Sequence, residues 1–412
     1  MSSVSFLHIA DLHLDSPFRG LVELPEKIYK RIQESTFVSF SKLISIAIRE
    51  KVDFVLISGD LFDAEDRSIR AQARFRHQMQ RLQAKDIPVY VIHGNHDHLG
   101  GDWYDIEWPS NVHVFISSKV EIKSFKRNQE TLVNIYGFSY TQKAVVENMT
   151  ALYKKQDSAK YHIGMLHGSI EGDSEHNRYA PFKISELHNA DFDYWALGHI
   201  HKRQVLSENP LIIYPGNIQG RHRNEAGEKG GYIVTLSESE TTYQFFNTAD
   251  VMWEDVSISI TDMSTTSQLY EKCMEKLDEV RKETEGVFLS IHLIGEGLLN
   301  DVVRNKGYIE DLLQALVDGE EENENFVYVL SIKVKSQNVV SREKLVEESP
   351  FINDMLSIFD SYQNFDEAVS SVFTHPRARK LLDSLTEVEK EEIIKEAEAL
   401  LLNEIYQSFS KE

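Results

Sequence analysis

Over the first 245 residues, short apolar runs rich in β-branched and aromatic side chains alternate with longer segments of helical period. The runs Val4–Ile9, Phe54–Ser58, Val89–Ile92, Val133–Gly137, His162–Leu166, Tyr194–Leu197, Leu211–Tyr214 and Tyr232–Leu236 read as strands. Lys27–Arg49, Ile69–Lys85 and Thr141–Lys154 read as helices. Strands that alternate with helices predict an α/β sheet sandwich.

Beyond residue 245 the pattern changes. Strand-like Val256–Ile260, amphipathic Thr265–Glu283, strand-like Val287–Leu293, a further helical stretch and strand-like Phe326–Val334 predict a small α+β domain. From about residue 340 the period is helical to the end. The expected domains are therefore 1–245, 246–338 and 339–412. Near the end, Thr386 and Glu389 fit a capping box, which satisfies the free N–H groups of a first helical turn. Leu385, Val388, Ile394, Ala397, Leu401, Ile405 and Phe409 then form an apolar stripe, which either packs on its own domain or docks a partner protein.

Composition narrows the setting. One cysteine, Cys273, excludes a disulfide framework and fits a reducing, cytoplasmic environment. No apolar run approaches the ~18 residues that cross a bilayer, and Met1–Leu14 has no leader-like charge pattern. The 412-residue chain has a net charge of −22. Residues 1–245 hold 28 Lys and Arg against 31 Asp and Glu, a net of −3; the remainder holds 16 against 35, a net of −19. A phosphate backbone is expected to meet the near-neutral first part, not the acidic end.

Five polar clusters follow five of the apolar runs: Asp11-Leu12-His13, Gly59-Asp60, Gly94-Asn95-His96-Asp97, His167-Gly168 and Gly198-His199-Ile200-His201. The ends of buried strands are where α/β sheets build active sites. Residues i and i+2 of an extended chain point the same way, so Asp11 with His13, and His199 with His201, can each face a metal cluster. Glycines 59, 94, 168 and 198 permit close backbone approach. Oxygen and imidazole donors without thiolate suit Mn²⁺, Fe or Zn²⁺. Any one cluster alone is weak, since a lone DxH or GD is commonplace and Asn95-His96-Asp97 alone could be a turn. Their order, each at the same end of its strand, carries the signal.

In this order the motifs resemble the calcineurin-like metallophosphoesterase superfamily over roughly residues 4–245. The resemblance implies a four-layer α/β/β/α sandwich, here with a small α+β capping domain and a helical C-terminal tail. It also implies a two-metal site. Asp11, His13 and His201 would bind one ion, Asn95, His167 and His199 the other, and Asp60 would bridge them. His96 would be the catalytic histidine that binds no metal, oriented by Asp97. Within the superfamily, "FLHIADLHLDSPFRGL", "VDFVLISGDLFD", "PVYVIHGNHD" and "YWALGHIHKRQVL" look like the SbcD-type DNA repair exonucleases, and more closely their YhaO-like branch. That likeness implies a Mn²⁺-dependent DNA nuclease (Mg²⁺, Fe or Zn²⁺ being alternatives). It implies an SbcC-type coiled-coil ATPase as partner, and pairing of two copies through the catalytic domain. The alternative is a small-molecule or cyclic-nucleotide phosphodiesterase of the same superfamily.

Some nucleases of this group carry histidine at the position of Asp63, so no catalytic role is expected there. Arg221, His222 and Arg223 could touch substrate phosphate or the capping domain. On the segment after the second motif, Arg67, Arg70, Arg74 and Arg81 lie within roughly 60° of one another at 100° per residue. They form either a track for a phosphate backbone or a solvated, ion-paired helix face. His8 lies inside the first strand and reads as structural, whereas His93 and His98 flank the third motif.

Overall fold

The eight apolar runs of the first 245 residues all form strands in the structure, a computed structural model. It describes the chain except residues 1–2, 19–20, 22–23, 64–67, 102–103, 105, 157–158, 173–178, 337–349, 362–364 and 374–389, and from 391 onward it describes only 393–394, 397–398 and 401. The first sheet contains β1 (Val4–Ile9), β2 (Phe54–Ser58), β3 (Val89–Ile92), β4 (Val112–Val114), β11 (Gly230–Leu236) and β12 (Thr241–Asn247), in the order β12-β11-β1-β2-β3-β4. The second contains β5 (Glu121–Arg127), β6 (Glu130–Gly137), β7 (Tyr161–His167), β8 (Tyr194–Gly198), β9 (Gln204–Glu208) and β10 (Leu211–Tyr214), in the order β5-β6-β7-β8-β10-β9. β1 to β4 are parallel, as are β6, β7, β8 and β10; antiparallel strands take the remaining places. A third sheet has the order β13 (Val251–Ser259), β14 (Gly286–Ile294), β15 (Val327–Val334).

Alternation along the strands explains the layers. On β1, Val4 and Phe6 join Phe54, Ile135, Ile163 and Ala196 in the core between the two large sheets. Leu7 and Ile9 face the other way, onto Phe40 and Leu43 of α1 (Glu26–Arg49) and Phe75 and Met79 of α2 (Ile69–Gln83). The outer face of the second sheet packs Tyr136, Trp195, Leu197 and Ile212 against Tyr153, Phe182 and Leu187, the last from the short α3 (Ile184–Asn189). The arrangement is the expected α/β/β/α sandwich, with a thin fourth layer. α2 starts where Ser68 Oγ accepts from the Ala71 N–H at 3.0 Å, which satisfies one free donor of the first turn.

One expected helix is absent. Thr141–Lys154 contains only a 3₁₀ turn, Thr150–Leu152. Asn148 Oδ1 takes both the N–H of Thr150 at 2.9 Å and its hydroxyl at 2.5 Å, and such local side-chain bonds compete with a helix. Strands β4, β5, β9 and β12 lie at or beside sheet edges, and the apolar pattern did not mark them.

By compactness the chain forms two units: Met1–Asp255 with Lys276–Ser290 and Leu316–Leu330, and Val256–Glu275 with Ile291–Ala315 and Ser331–Glu412. In the first, Phe18, Ile28 and Ile32 share a cluster with Val251, Trp253, Phe288 and Phe326. In the second, Ile258, Ile260, Leu269, Cys273, Ile291 and Leu293 are buried. The second also holds most of α4 (Thr266–Val280), α5 (Asn300–Arg304), most of α6 (Lys306–Val317), and, toward its end, α7 (Pro350–Ser361) and α8 (Phe365–Phe373). Thr386 and Glu389 lie outside the described residues. Among the described residues no helix is long and apolar enough to cross a membrane.

Candidate metal centre

Parallel strands end together, and the five polar clusters sit at that shared edge of the two sheets. Asp11 and His13 follow β1, Asp60 follows β2, Asn95 to Asp97 follow β3, His167 closes β7, and His199 and His201 follow β8. The chain does not remain extended there. Asp11, His13, Asp60 and His199 have φ of 51°, 41°, 53° and 99°, all left-handed. The expectation that i and i+2 share a face of extended chain is therefore corrected: sharp turns, not strand geometry, aim these side chains. Such conformations cost about 1–3 kcal/mol each and persist only where the surroundings fix them. Here Asp11 N donates to Gly59 O and His13 N to Asp60 O, both at 3.0 Å, while His199 N donates to Asp11 Oδ1 at 3.0 Å.

Gly94 lines the cradle: a Cβ there would lie 2.3 Å from Asp60 Oδ1 and 2.6 Å from His167 Nε2. Gly59 has φ of +91° and a Cβ on it would meet His167 Nδ1 at 2.4 Å. A larger residue at 94 would occupy the space between Asp60 and His167, and one at 59 would displace the His167 ring from behind.

Two groups of donors gather the expected ligands, and His13, Asp63 and His96 converge beside them. In the first, His13 Nε2 and His201 Nε2 face each other at 3.1 Å, and each comes close to a carboxylate oxygen of Asp11. His13 Nδ1 is 2.6 Å from Asp63 and His201 Nδ1 is 2.6 Å from Glu225. Ionised carboxylates only accept, so both Nδ1 atoms carry the proton and both Nε2 atoms present lone pairs. In the second group, His167 Nδ1 donates to Ser58 O at 2.9 Å, and its Nε2 lies 3.0 Å from Asn95 Oδ1. His199 Nδ1 is 3.2 Å from the same Asn95 oxygen. Asp60 stands between the groups, with Oδ2 3.4 Å from His167 Nε2 and 3.9 Å from His13 Nε2.

The electrostatics call for a cation. Burial pushes the Asp11 carboxyl up to about 6, even with His201 and His167 nearby. Burial also opposes the charge on Asp60, but His167, His13 and His96 hold it well below the usual carboxylate range. Burial, aided in both cases by Arg221, keeps His13 and His201 neutral. At His167, burial is outweighed by Asp60 and Asp11, which raise the ring to about 9. A buried site that draws a proton onto an imidazole carries surplus negative charge. Lone pairs facing each other across ~3 Å need positive charge between them. The residues therefore fit divalent cations: Asp11, His13 and His201 could hold one, Asn95, His167 and His199 another, with Asp60 toward both. The all-oxygen and nitrogen donor set suits Mn²⁺, Fe or Zn²⁺.

His96 lies at the mouth, with its side chain 42 % exposed and Nδ1 3.4 Å from Asp63 Oδ1. Its N–H donates to Asp60 Oδ1 at 2.9 Å. Asp97, expected to orient His96, bonds three other groups. Asp97 is buried, and its oxygens take the N–H groups of Leu61 and Gly94 at 2.8 and 2.7 Å and His93 Nδ1 at 2.9 Å. It ties two loops together and orients His93; the carboxylate beside His96 is Asp63. Asp63 and Glu225 are the residues that sequence reasoning missed. Both lie far from their imidazoles along the chain, and nothing in local spacing marks them.

The arginines divide. Arg67 lies outside the described residues. Arg70 and Arg74 pair with Glu34 of α1, both guanidinium groups sit over the Phe37 ring, and Arg70 also reaches Asp15 at 3.0 Å. Arg81 bonds Gln78, Ser41 and Ser45. Of the two readings of the stripe, this geometry supports an ion-paired seam between α1 and α2. Arg221 lies against Asp63, inside the centre, while His222 is half exposed with Nε2 3.4 Å from Glu225.

Comparison with known proteins agrees with this geometry. Residues 4–203 match the family model described as calcineurin-like phosphoesterase. The chain is 40 % identical over 406 residues, 98 % of both chains, to an uncharacterized metallophosphoesterase, YhaO, of Bacillus subtilis (strain 168). It is 27 % identical to the DNA double-strand break repair protein Mre11 of Sulfurisphaera tokodaii, over 72 % of this chain and 74 % of that one. It is 24 % identical to a component of the nuclease SbcCD of Staphylococcus epidermidis, over 56 % of this chain and 65 % of that one.

Proposed function

Because the chain belongs to the calcineurin-like metallophosphoesterases, we propose that it is a Mn²⁺-dependent DNA nuclease, acting from a DNA end as the nuclease subunit of an SbcCD-like repair complex. The observation that carries the metal-dependent phosphoesterase part of this reading is Asp60, set between two groups of converging donors. Bound there, two divalent ions would supply an activated water and a clamp on the phosphate oxygens.

The chain's own residues do the rest. Asp63 and Glu225 fix which nitrogen of His13 and of His201 faces the centre, and Ser58 O does so for His167. Asp11 and Asp60 bring compensating negative charge into a buried site. His96 is the catalytic histidine: partly exposed, with one ring nitrogen beside a carboxylate, it can deliver a proton to the departing oxygen. Asn95 takes the ligand role that the family resemblance gives it.

DNA as substrate is supported by the Mre11 and SbcCD relatives, which are named for break repair and nuclease activity. The near-neutral charge of residues 1–245 also fits. An SbcC-type coiled-coil ATPase is the partner proposed for the acidic, helical C-terminal region. The test compares end-labelled linear DNA with bis-p-nitrophenyl phosphate and a cyclic nucleotide, in Mn²⁺ and over a range of salt. Shortening of DNA whose affinity falls steeply with salt is expected, because several phosphate contacts release counterions. Hydrolysis of the small esters with DNA intact, even with the ATPase added, would replace this reading with a small-molecule phosphodiesterase.

A further inference from the structure

We infer that Arg221, Asp63 and Glu225 form a clamp that tunes one of the two metal positions and leaves the other alone. The inference rests on the metal-centre reading above. His13 and His201 are the donors of one position that have a carboxylate directly behind them, Asp63 and Glu225, each at 2.6 Å from Nδ1. A carboxylate behind a ligating imidazole fixes its tautomer and raises its basicity. At the other position, His167 Nδ1 donates to the neutral carbonyl of Ser58 at 2.9 Å, and the Asp11 carboxylate stands off at 3.9 Å. The two positions are therefore built unequally.

The two supporting carboxylates need support of their own. Asp63 is 9 % and Glu225 7 % exposed, and they stand behind a centre that already holds Asp11 and Asp60. Like charges so placed repel, and water reaches them poorly. Arg221 offsets this. Its Nη1 lies 3.4 Å from both oxygens of Asp63 and 3.3 Å from Ser16 Oγ. Its backbone N–H donates to Glu225 Oε2 at 2.7 Å, and its Nη2 lies 3.9 Å from Glu225 Oε1. Asn217 Nδ2 completes the seat of Glu225 at 2.8 Å. One guanidinium thus reaches both carboxylates, and its Nη2 also lies 3.4 Å from His201 Nδ1, the nitrogen turned toward Glu225. Arg221 is a positioning residue, and its planar fork is what a lysine cannot copy.

The test is a calorimetric titration of the metal-stripped, full-length chain with Mn²⁺, with KM for bis-p-nitrophenyl phosphate measured alongside. Wild type should show two binding events of unequal affinity. Arg221→Met should weaken one event by roughly 10–100-fold and leave the other unchanged, and Arg221→Lys should recover part of the loss. If Arg221→Met loses its cooperative melting transition, the isosteric Asp63→Asn and Glu225→Gln carry the test, and each should weaken that same event. Two unchanged events in the folded Arg221→Met chain, or in both isosteric variants, would overturn the inference. A raised KM with both events intact would make Arg221 a substrate contact instead. Failure of the underlying reading looks different: wild type would bind fewer than two ions, or Asp60→Ala would keep both.

Discussion

Asp60 faces both groups of donors with one carboxylate, so its loss should be felt at both. Asp60→Ala is expected to bind neither ion with wild-type affinity and to lose hydrolysis of every substrate; metal analysis after gel filtration checks it. His96 converges with His13 and Asp63 at the edge of the centre, and the family resemblance gives it no ion. His96→Ala should keep its metal content while turnover falls by roughly 10²–10⁴, and loss of metal would show that His96 is a ligand. His8 supplies a pH prediction away from catalysis. Its ring is wholly buried, with Nε2 bonded to Leu197 O at 3.1 Å and Nδ1 2.8 Å from the Tyr194 hydroxyl. Burial lowers it from its ordinary 6.5 to about 3, against the pull of Leu197 O. The unfolded chain takes up this proton first, so the contribution of neutral His8 is complete above about pH 6.5 and is lost as pH falls from there toward 3. Thermal midpoints between pH 7 and 4 should fall more steeply for wild type than for His8→Gln. Parallel curves would mean that the ring takes up its proton at the same pH in the folded and unfolded chains.

At the scale of elements, what the sequence made legible depended on burial. β3 (VYVI) and β10 (LIIY) carry unbroken apolar runs, and β1 and β2 nearly so, because both faces are covered, and their limits follow from the letters alone. β5 (EIKSFKR) and β9 (QVLSE) are edge strands with polar faces, which a polar loop resembles. The ligand motifs were readable because each follows a buried run. The left-handed turns that aim them, and the carboxylates behind them, arise only when loops from several strands meet. The arginines of α2 show the same limit. Their shared face is visible in the spacing, but Glu34, which pairs with Arg70 and Arg74, comes from another helix. With all three side chains about 40 % exposed, the seam contributes about 0–1 kcal/mol. Arg74→Ala is therefore expected to lower the melting temperature slightly and to leave DNA affinity and its salt slope unchanged. A shallower slope would return this face to the substrate.

For the whole molecule, charge is divided as labour is expected to be. The part that holds the donors is near neutral, and residues 246–412 carry a net of −19. Removing residues 340–412 should spare hydrolysis of a small phosphodiester and weaken association with the proposed ATPase partner. Full association of the shortened chain, measured by co-sedimentation, would assign the partner surface elsewhere. The proposed chemistry turns on two ions shared across one carboxylate. Anomalous scattering from crystals soaked in Mn²⁺ tests that most directly. Two peaks ~3.5–4 Å apart are expected on either side of Asp60, one against Asp11, His13 and His201, the other against Asn95, His167 and His199. A single peak, or peaks that leave Asp60 untouched, would contradict it.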